Sequence, residues 1–297
     1  MGDAIVKLRS FIELTKPRQL ALLLLTMYGS YIVAGGPLDF ISLTKLTIMG
    51  FATVGGVTAL NMYLDYDVDS VMARTRRRPL PSGRLSLDEA LLGTVILLVL
   101  GVTIAASINK YVLSAVLAGL YFDIIAYTEL SKRFTALNII FGSIAGAMPA
   151  LGGWAAGAGS ITLPGILLAS IVFAWQPLHV WFLAYSYGDD YRRAEIPMVS
   201  LSYSHRVFSI VILIFLALMA IAMATLVYYL KYGLIALALT LILISLATLR
   251  VLRFYRGPSR EEAFKIYKFA TPTLAVVYIV LPLELLISNY IIISLPL

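Results

Sequence analysis

The chain has 297 residues, 60% of them hydrophobic and only 13% charged, with a net charge of +7 and a mean hydropathy of +0.91. Soluble domains carry charge on about a quarter of their residues, so this balance excludes one and specifies an integral membrane protein. Nucleic acid is excluded as a partner because the basic residues sit in short loops between apolar spans, and the lack of cysteine excludes disulfides, thiolate metal sites and cysteine nucleophiles.

In chain order, Met1–Arg18 is amphipathic, carries Asp3 and Glu13, and has no signal-peptide pattern. Apolar segments long enough to cross a bilayer then follow at 19–36, 43–64, 87–107, 111–129, 136–158, 162–186, 207–230, 233–252 and 270–293. Gly and Pro interrupt several of them, which neighbouring helices accommodate inside a membrane bundle. The longest polar stretches are 65–86, 187–206 and 253–269. The expected fold is an all-α membrane protein, a nine-helix bundle in which residues 1–297 form one polytopic domain.

Of the 23 basic residues, all but Lys45, Lys110 and Lys231 fall in the N-terminal segment or in alternate loops. Positive charge marks the cytoplasmic side. The expected orientation therefore puts the N-terminus and those loops in the cytoplasm, which an odd number of spans satisfies.

Asn61, Asp65 and Asp69 are spaced by four, so a helix stacks them on one face at the cytoplasmic end of the second span. Two carboxylates and an amide oxygen are hard ligands suited to Mg²⁺, which binds through few protein groups and shares phosphate oxygens. Asp67 is offset and points elsewhere. The Asp65-x-Asp67-x-Asp69 run is no calcium loop, since Ser70 and Arg76 replace the turn glycine and the bidentate glutamate. Arg74 and Arg78 follow at once, and guanidinium forks match phosphate oxygens. A carboxylate cluster beside an arginine cluster is what a magnesium-bound diphosphate needs, and its place at a membrane surface gives that diphosphate a lipid tail.

The pattern Asn61-x3-Asp65-x3-Asp69 followed by Arg74-Thr-x2-Arg78-Pro-Leu resembles the first motif of the UbiA superfamily of intramembrane prenyltransferases. Within it the chain is most similar to the haem O synthase (protohaem IX farnesyltransferase) branch. The supporting stretches are Tyr127-Thr-x3-Lys132-Arg133, Gly146-Ala-Met-Pro149 through Trp154, Trp175-Gln-Pro177-Leu-His179-x-Trp181, and Asp190-Tyr191 through Pro197. The resemblance implies a bundle around a central cavity and Mg²⁺-dependent transfer of farnesyl from farnesyl diphosphate to a vinyl group of haem B. Pyrophosphate leaves, and water supplies a hydroxyl. Membrane lipid surrounds the site, which opens towards the cytoplasm, and the poorly soluble product is expected to pass to a downstream haem-modifying enzyme.

The superfamily's second acidic motif falls on Tyr185-Ser-Tyr-Gly-Asp189-Asp190. By resemblance, Asp189 and Asp190 join Asn61, Asp65 and Asp69 as metal ligands. Arg74, Arg78, Lys132, Arg133 and Tyr185 bind the diphosphate, and Asn61, Asp65, Asp69 and Asp190 carry the catalysis. Asp189 departs from the pattern, where lysine is common, and Ala194 stands where a further carboxylate would lie. His179, inside the sixth span beside Trp175 and Trp181, is expected in a haem-related role with Trp175, because a histidine within a span is a functional candidate. Asp123 and Glu284 are lone intramembrane acids whose partners the sequence leaves open. Two alternatives stand beside this reading: another acceptor (a quinone precursor, an archaeal lipid or a chlorophyll-type pigment), and a secondary transporter, whose sites belong near the bilayer midplane.

Overall fold

The computed structural model describes residues 2–294, with side chains described for 4–288. Helix α1 (Gly2–Leu14) leads to α2 (Pro17–Val33) and α3 (Phe40–Leu64), and a short α4 (Tyr66–Val71) follows α3 directly. Then come α5 (Leu87–Ile108), α6 (Lys110–Leu120) running on as a π-helical stretch over Tyr121–Glu129, α7 (Asn138–Ala158) and α8 (Leu163–Ser186). Two short helices, α9 (Gly188–Arg193) and α10 (Val199–Ser202), precede α11 (His205–Leu230), α12 (Leu234–Arg256) and α13 (Arg260–Ser294). Among the described residues eight helices are long and apolar enough to cross a membrane; α2, at 17 residues, falls just short of them. The protein is an all-helical, multi-pass membrane protein.

Capping chemistry sets several helix starts. Asp39 accepts the N–H groups of Ile41 and Ser42 at the start of α3, and Ser86 and Glu89 form a capping box on α5. Pro17 opens α2, where its missing N–H costs nothing. Glu284, a lone acid in the last span, accepts the N–H groups of Ile235 (3.0 Å) and Ala236 (2.7 Å) and so caps α12.

Two elements depart from the sequence reading. The last helix begins at Arg260, ten residues before the expected span, because Ala263 and Ile266 are buried and extend its apolar face into the polar stretch. The expected span 111–129 is α-helical only as far as Leu120; the last nine residues widen into π-helix. Such stretches are rare and concentrate at functional sites.

The helices join into adjoining rings. Helices α2, α3, α5, α6 and α7 close one ring and α8, α11, α12 and α13 another; α2 and α7 pack on α13 and α8 to join them. The seam between α2 and α7 is a close backbone contact. A Cβ on Gly153 would overlap the Met27 carbonyl, and one on Gly157 would come 2.7 Å from the Tyr31 carbonyl. Gly153 and Gly157 thus let two backbones approach, as small residues four apart do in membrane helix pairs. Gly153→Ala is expected to force this seam apart and cost about 2 kcal/mol. Thermal unfolding in detergent micelles would show a lowered midpoint; an unchanged midpoint would contradict the close packing.

Candidate active site

The rings enclose a cavity of about 640 Å³. Its deep part is apolar, walled by Leu22, Met27, Met49, Val57, Val116 and Met148. Its mouth holds Lys16, Asn61, Asp65, Asp69, Arg78 and Lys132. A third side, built from α8 and α13, presents Trp175, Gln176, His179, Tyr267 and Thr271.

The register of the first acidic motif survives the break between α3 and α4. The Asp65 N–H bonds the Asn61 carbonyl (2.9 Å), and the Asp69 N–H bonds the Asp65 carbonyl (2.8 Å). All three side chains therefore reach the cavity. Both carboxylates are buried, 8% exposed for Asp65 and 3% for Asp69, so each needs a counter-charge. Lys132 donates to Asp65, while Arg78 spans both oxygens of Asp69 at 2.8 and 2.6 Å. Burial opposes the charge on Lys132, but Tyr127 and Asp65 outweigh it and hold its pKa above the ordinary lysine value. Lys16 stands at the same mouth, where burial and then the charge of Arg78 lower its pKa to about 8. It occupies a left-handed conformation (φ 46°), unusual for a residue with a side chain. The sequence marked Lys16 only as a topology charge.

The π-helical stretch explains Asp123. Asn61 donates its amide N–H to Asp123, and the Thr128 hydroxyl donates to the Asn61 carbonyl oxygen (2.7 Å). Asp123 and Thr128 lie five residues apart on the widened helix, and together they fix which way the Asn61 amide faces. The sequence left the role of Asp123 open and gave Thr128 none.

Several expected residues lie elsewhere. Arg133 points outward and grips Asp67 at 2.8 Å through each of its two terminal guanidinium nitrogens, and that hydrogen bonding lowers the Asp67 pKa. Tyr185 faces Phe208 and Phe254, because it sits on the side of α8 opposite Trp175, His179 and Leu183. Asp189 is at the surface, clamped at 2.6 Å by each of two Arg260 nitrogens, a bond that lowers its pKa. Asp190 is buried, but its two oxygens accept the N–H groups of Ala73 and Arg74, each at 3.1 Å. It ties the second acidic segment to the arginine segment rather than lining the cavity. Arg74 lines the cavity, as do Trp175 and His179, whose rings stack at 4.7 Å.

No group of three or more His, Asp or Glu side chains among the described residues is arranged to hold a metal ion. The donor set at the mouth nevertheless suits a hard divalent cation. Asp65 and Asp69 present carboxylates one turn apart beside the Asn61 amide oxygen, and the cationic ends of Lys132 and Arg78 stand in for the positive charge those carboxylates require.

Residues 22–272 match the UbiA prenyltransferase family. The chain belongs to that family. It is 58% identical over 284 residues to the protoheme IX farnesyltransferase of Aeropyrum pernix, covering 95% of this chain and 94% of that one. Among solved structures, digeranylgeranylglyceryl phosphate synthase superposes with a TM-score of 0.74 at 20% identity, covering 94% and 98% of the two chains. A UbiA homolog from Archaeoglobus fulgidus, solved with GPP and Mg2+, gives 0.65 at 16% identity over 92% and 99%. At those identities the two structures establish the fold alone.

Breaking one partner of the buried pair should cost more than removing both. Lys132→Met strands Asp65 and is expected to destabilise the protein by about 3 kcal/mol. Adding Asp65→Asn should restore most of that loss, read as unfolding midpoints in micelles. A double variant no more stable than the single one would contradict the pairing.

Proposed function

We infer that this protein transfers a farnesyl group from farnesyl diphosphate to a vinyl group of haem B. The observation that carries this reading is the 58% identity to a protoheme IX farnesyltransferase along nearly the whole of both chains. The cavity supports it, with an apolar depth for an isoprenoid, a charged mouth for a diphosphate and an aromatic side for a flat acceptor.

In the described state the mouth is internally neutralised: Lys132 holds Asp65 and Arg78 holds Asp69. Substrate binding exchanges partners. Lys132, Arg78, Lys16 and Arg74 turn to the phosphate oxygens, and Asp65, Asp69 and the Asn61 oxygen are the groups that would hold Mg²⁺. Bound there, Mg²⁺ supplies Lewis-acid charge to the leaving group. The bond between the allylic carbon and the diphosphate oxygen breaks, and its electrons leave with pyrophosphate, whose charge the basic side chains stabilise. The apolar wall of Leu22, Met27, Val57 and Met148 keeps water from the allylic cation until the vinyl π-bond attacks it. Water then captures the cation formed beside the macrocycle, loses a proton and leaves a hydroxyl, giving haem O. Trp175 and His179 lie on the acceptor side. Asp190 acts by positioning Arg74.

We set this mouth on the cytoplasmic side of the cell membrane, with α2 as the first of nine spans and the N-terminus inside, and the bias of basic residues to alternate loops supports it. The fold is shared with digeranylgeranylglyceryl phosphate synthase, so another acceptor is the second reading.

Asp65→Ala or Asp69→Ala is expected to abolish turnover of farnesyl diphosphate with haem B; each leaves a cation without its carboxylate and lowers the unfolding midpoint, but the protein still folds. Near-normal rates in either variant would remove these residues from the site, and prenylation of a quinone precursor with no farnesylated haem would replace the acceptor. Thr128→Val frees the Asn61 amide to turn. The Mg²⁺ concentration for half-maximal rate should rise about tenfold, with Thr128→Ser restoring it; an unchanged Mg²⁺ dependence would deny Thr128 a positioning role.

A further inference from the structure

A second opening, a bay of about 570 Å³, lies at the charged end of α8 and α13. It is lined by Arg74, Tyr187, Phe264 and Lys268, and it shares Leu183, Tyr267, Thr271 and Arg74 with the central cavity. Aromatic rings run unbroken from one to the other. Trp175 stacks on His179 at 4.7 Å, His179 meets Tyr267 at 4.6 Å, Tyr267 meets Phe264 at 5.8 Å, and Phe264 meets Tyr187 at 6.2 Å.

Two cations stand over this ladder. The Arg74 guanidinium lies 5.7 Å from the Tyr187 ring centre, and the Lys268 ammonium 4.5 Å from that of Phe264. Neither makes an ion pair among the described residues, whereas Arg78, Lys132, Arg133 and Arg260 all face carboxylates. Their side chains are exposed at the bay. A wall of aromatic rings, Phe264 and Tyr267 stacked and Tyr187 edge-on to Phe264, with unneutralised cations along one edge suits a flat conjugated ligand that carries carboxylates on one edge. A prenyl chain has neither property, and the diphosphate is provided for at the mouth.

We propose that this bay receives the acceptor, a tetrapyrrole dicarboxylate, with its carboxylates on Arg74 and Lys268 and its ring against Tyr187, Phe264 and Tyr267. The proposal rests on the haem B reading above and adds where and how the acceptor is held. The shared wall of Leu183, Tyr267 and Thr271 then lets the opposite edge of the macrocycle reach the central cavity, where the allylic cation forms. Arg74 stands between the two openings, so carboxylate and pyrophosphate oxygens share one guanidinium, and its backbone is fixed by Asp190.

The test is an absorbance titration of the purified protein in micelles with haem B and with haem B dimethyl ester, without Mg²⁺ or farnesyl diphosphate. Lys268→Glu is expected to weaken haem B about tenfold or more and to leave the ester within about twofold of the unsubstituted protein. Lys268→Gln should shift haem B in the same direction by less, and Phe264→Ala should weaken both ligands. Unchanged haem B binding by Lys268→Glu, or equal weakening of acid and ester, would overturn the bay. If the unsubstituted protein neither binds nor farnesylates haem B, the functional reading falls along with it. If it farnesylates haem B and the Lys268 variants bind and convert it normally, only the bay falls.

Discussion

Charge neutralisation inside an apolar bundle is the constraint on which the rest of this structure depends. Two carboxylates one helical turn apart are buried where water cannot solvate them, and each survives because a basic side chain from another segment meets it. Lys132 comes from beyond the π-helical stretch and Arg78 from the segment after α4. The pairs therefore hold three parts of the chain around one point. The partner exchange proposed for substrate binding follows from the same charges, because a ligand bearing its own cation and anion can replace both halves of each pair without leaving either unpaired.

Further polar contacts continue around that end of the bundle. Asp67 meets Arg133, Asp190 meets the backbone of Ala73 and Arg74, Asp189 meets Arg260, and Glu13 meets Arg84. Exposed pairs of this kind contribute little energy singly. Their importance is positional, since each ties together two segments that are distant in sequence at the charged end of the bundle. Asp190 is the buried member, and it fixes backbone rather than side chain. A carboxylate that matches the family's second acidic motif thus holds the backbone of the arginine segment instead of lining the cavity.

At the other extreme, the depth of the cavity is set by backbone approach. Gly153 and Gly157 bring α7 against the carbonyls of α2, and Gly29 brings α2 against Tyr278 of α13. These seams hold the joining helices close while the charged mouth and the aromatic side stay open. The π-helical stretch performs a related adjustment, because it carries Asp123 and Thr128 to either side of the Asn61 amide.

The sequence by itself determined that this is a polytopic helical membrane protein, located most of its helices to within a few residues, and placed Asn61, Asp65 and Asp69 on one face. Those properties follow from local periodicity and apolar length, which adjacent residues express directly. Tertiary structure alone decided which cations meet which carboxylates, because partners 9 to 71 residues apart in sequence leave no local signal. It turned Tyr185, Arg133 and Asp189 away from the cavity, brought in Lys16, Asp123 and Thr128, and made Glu284 a helix cap. The widening of α6 was hidden for the same reason: nothing in the apolar period of residues 111–129 distinguishes an α-turn from a π-turn, and only the packing of that stretch against α3 and α7 selects one.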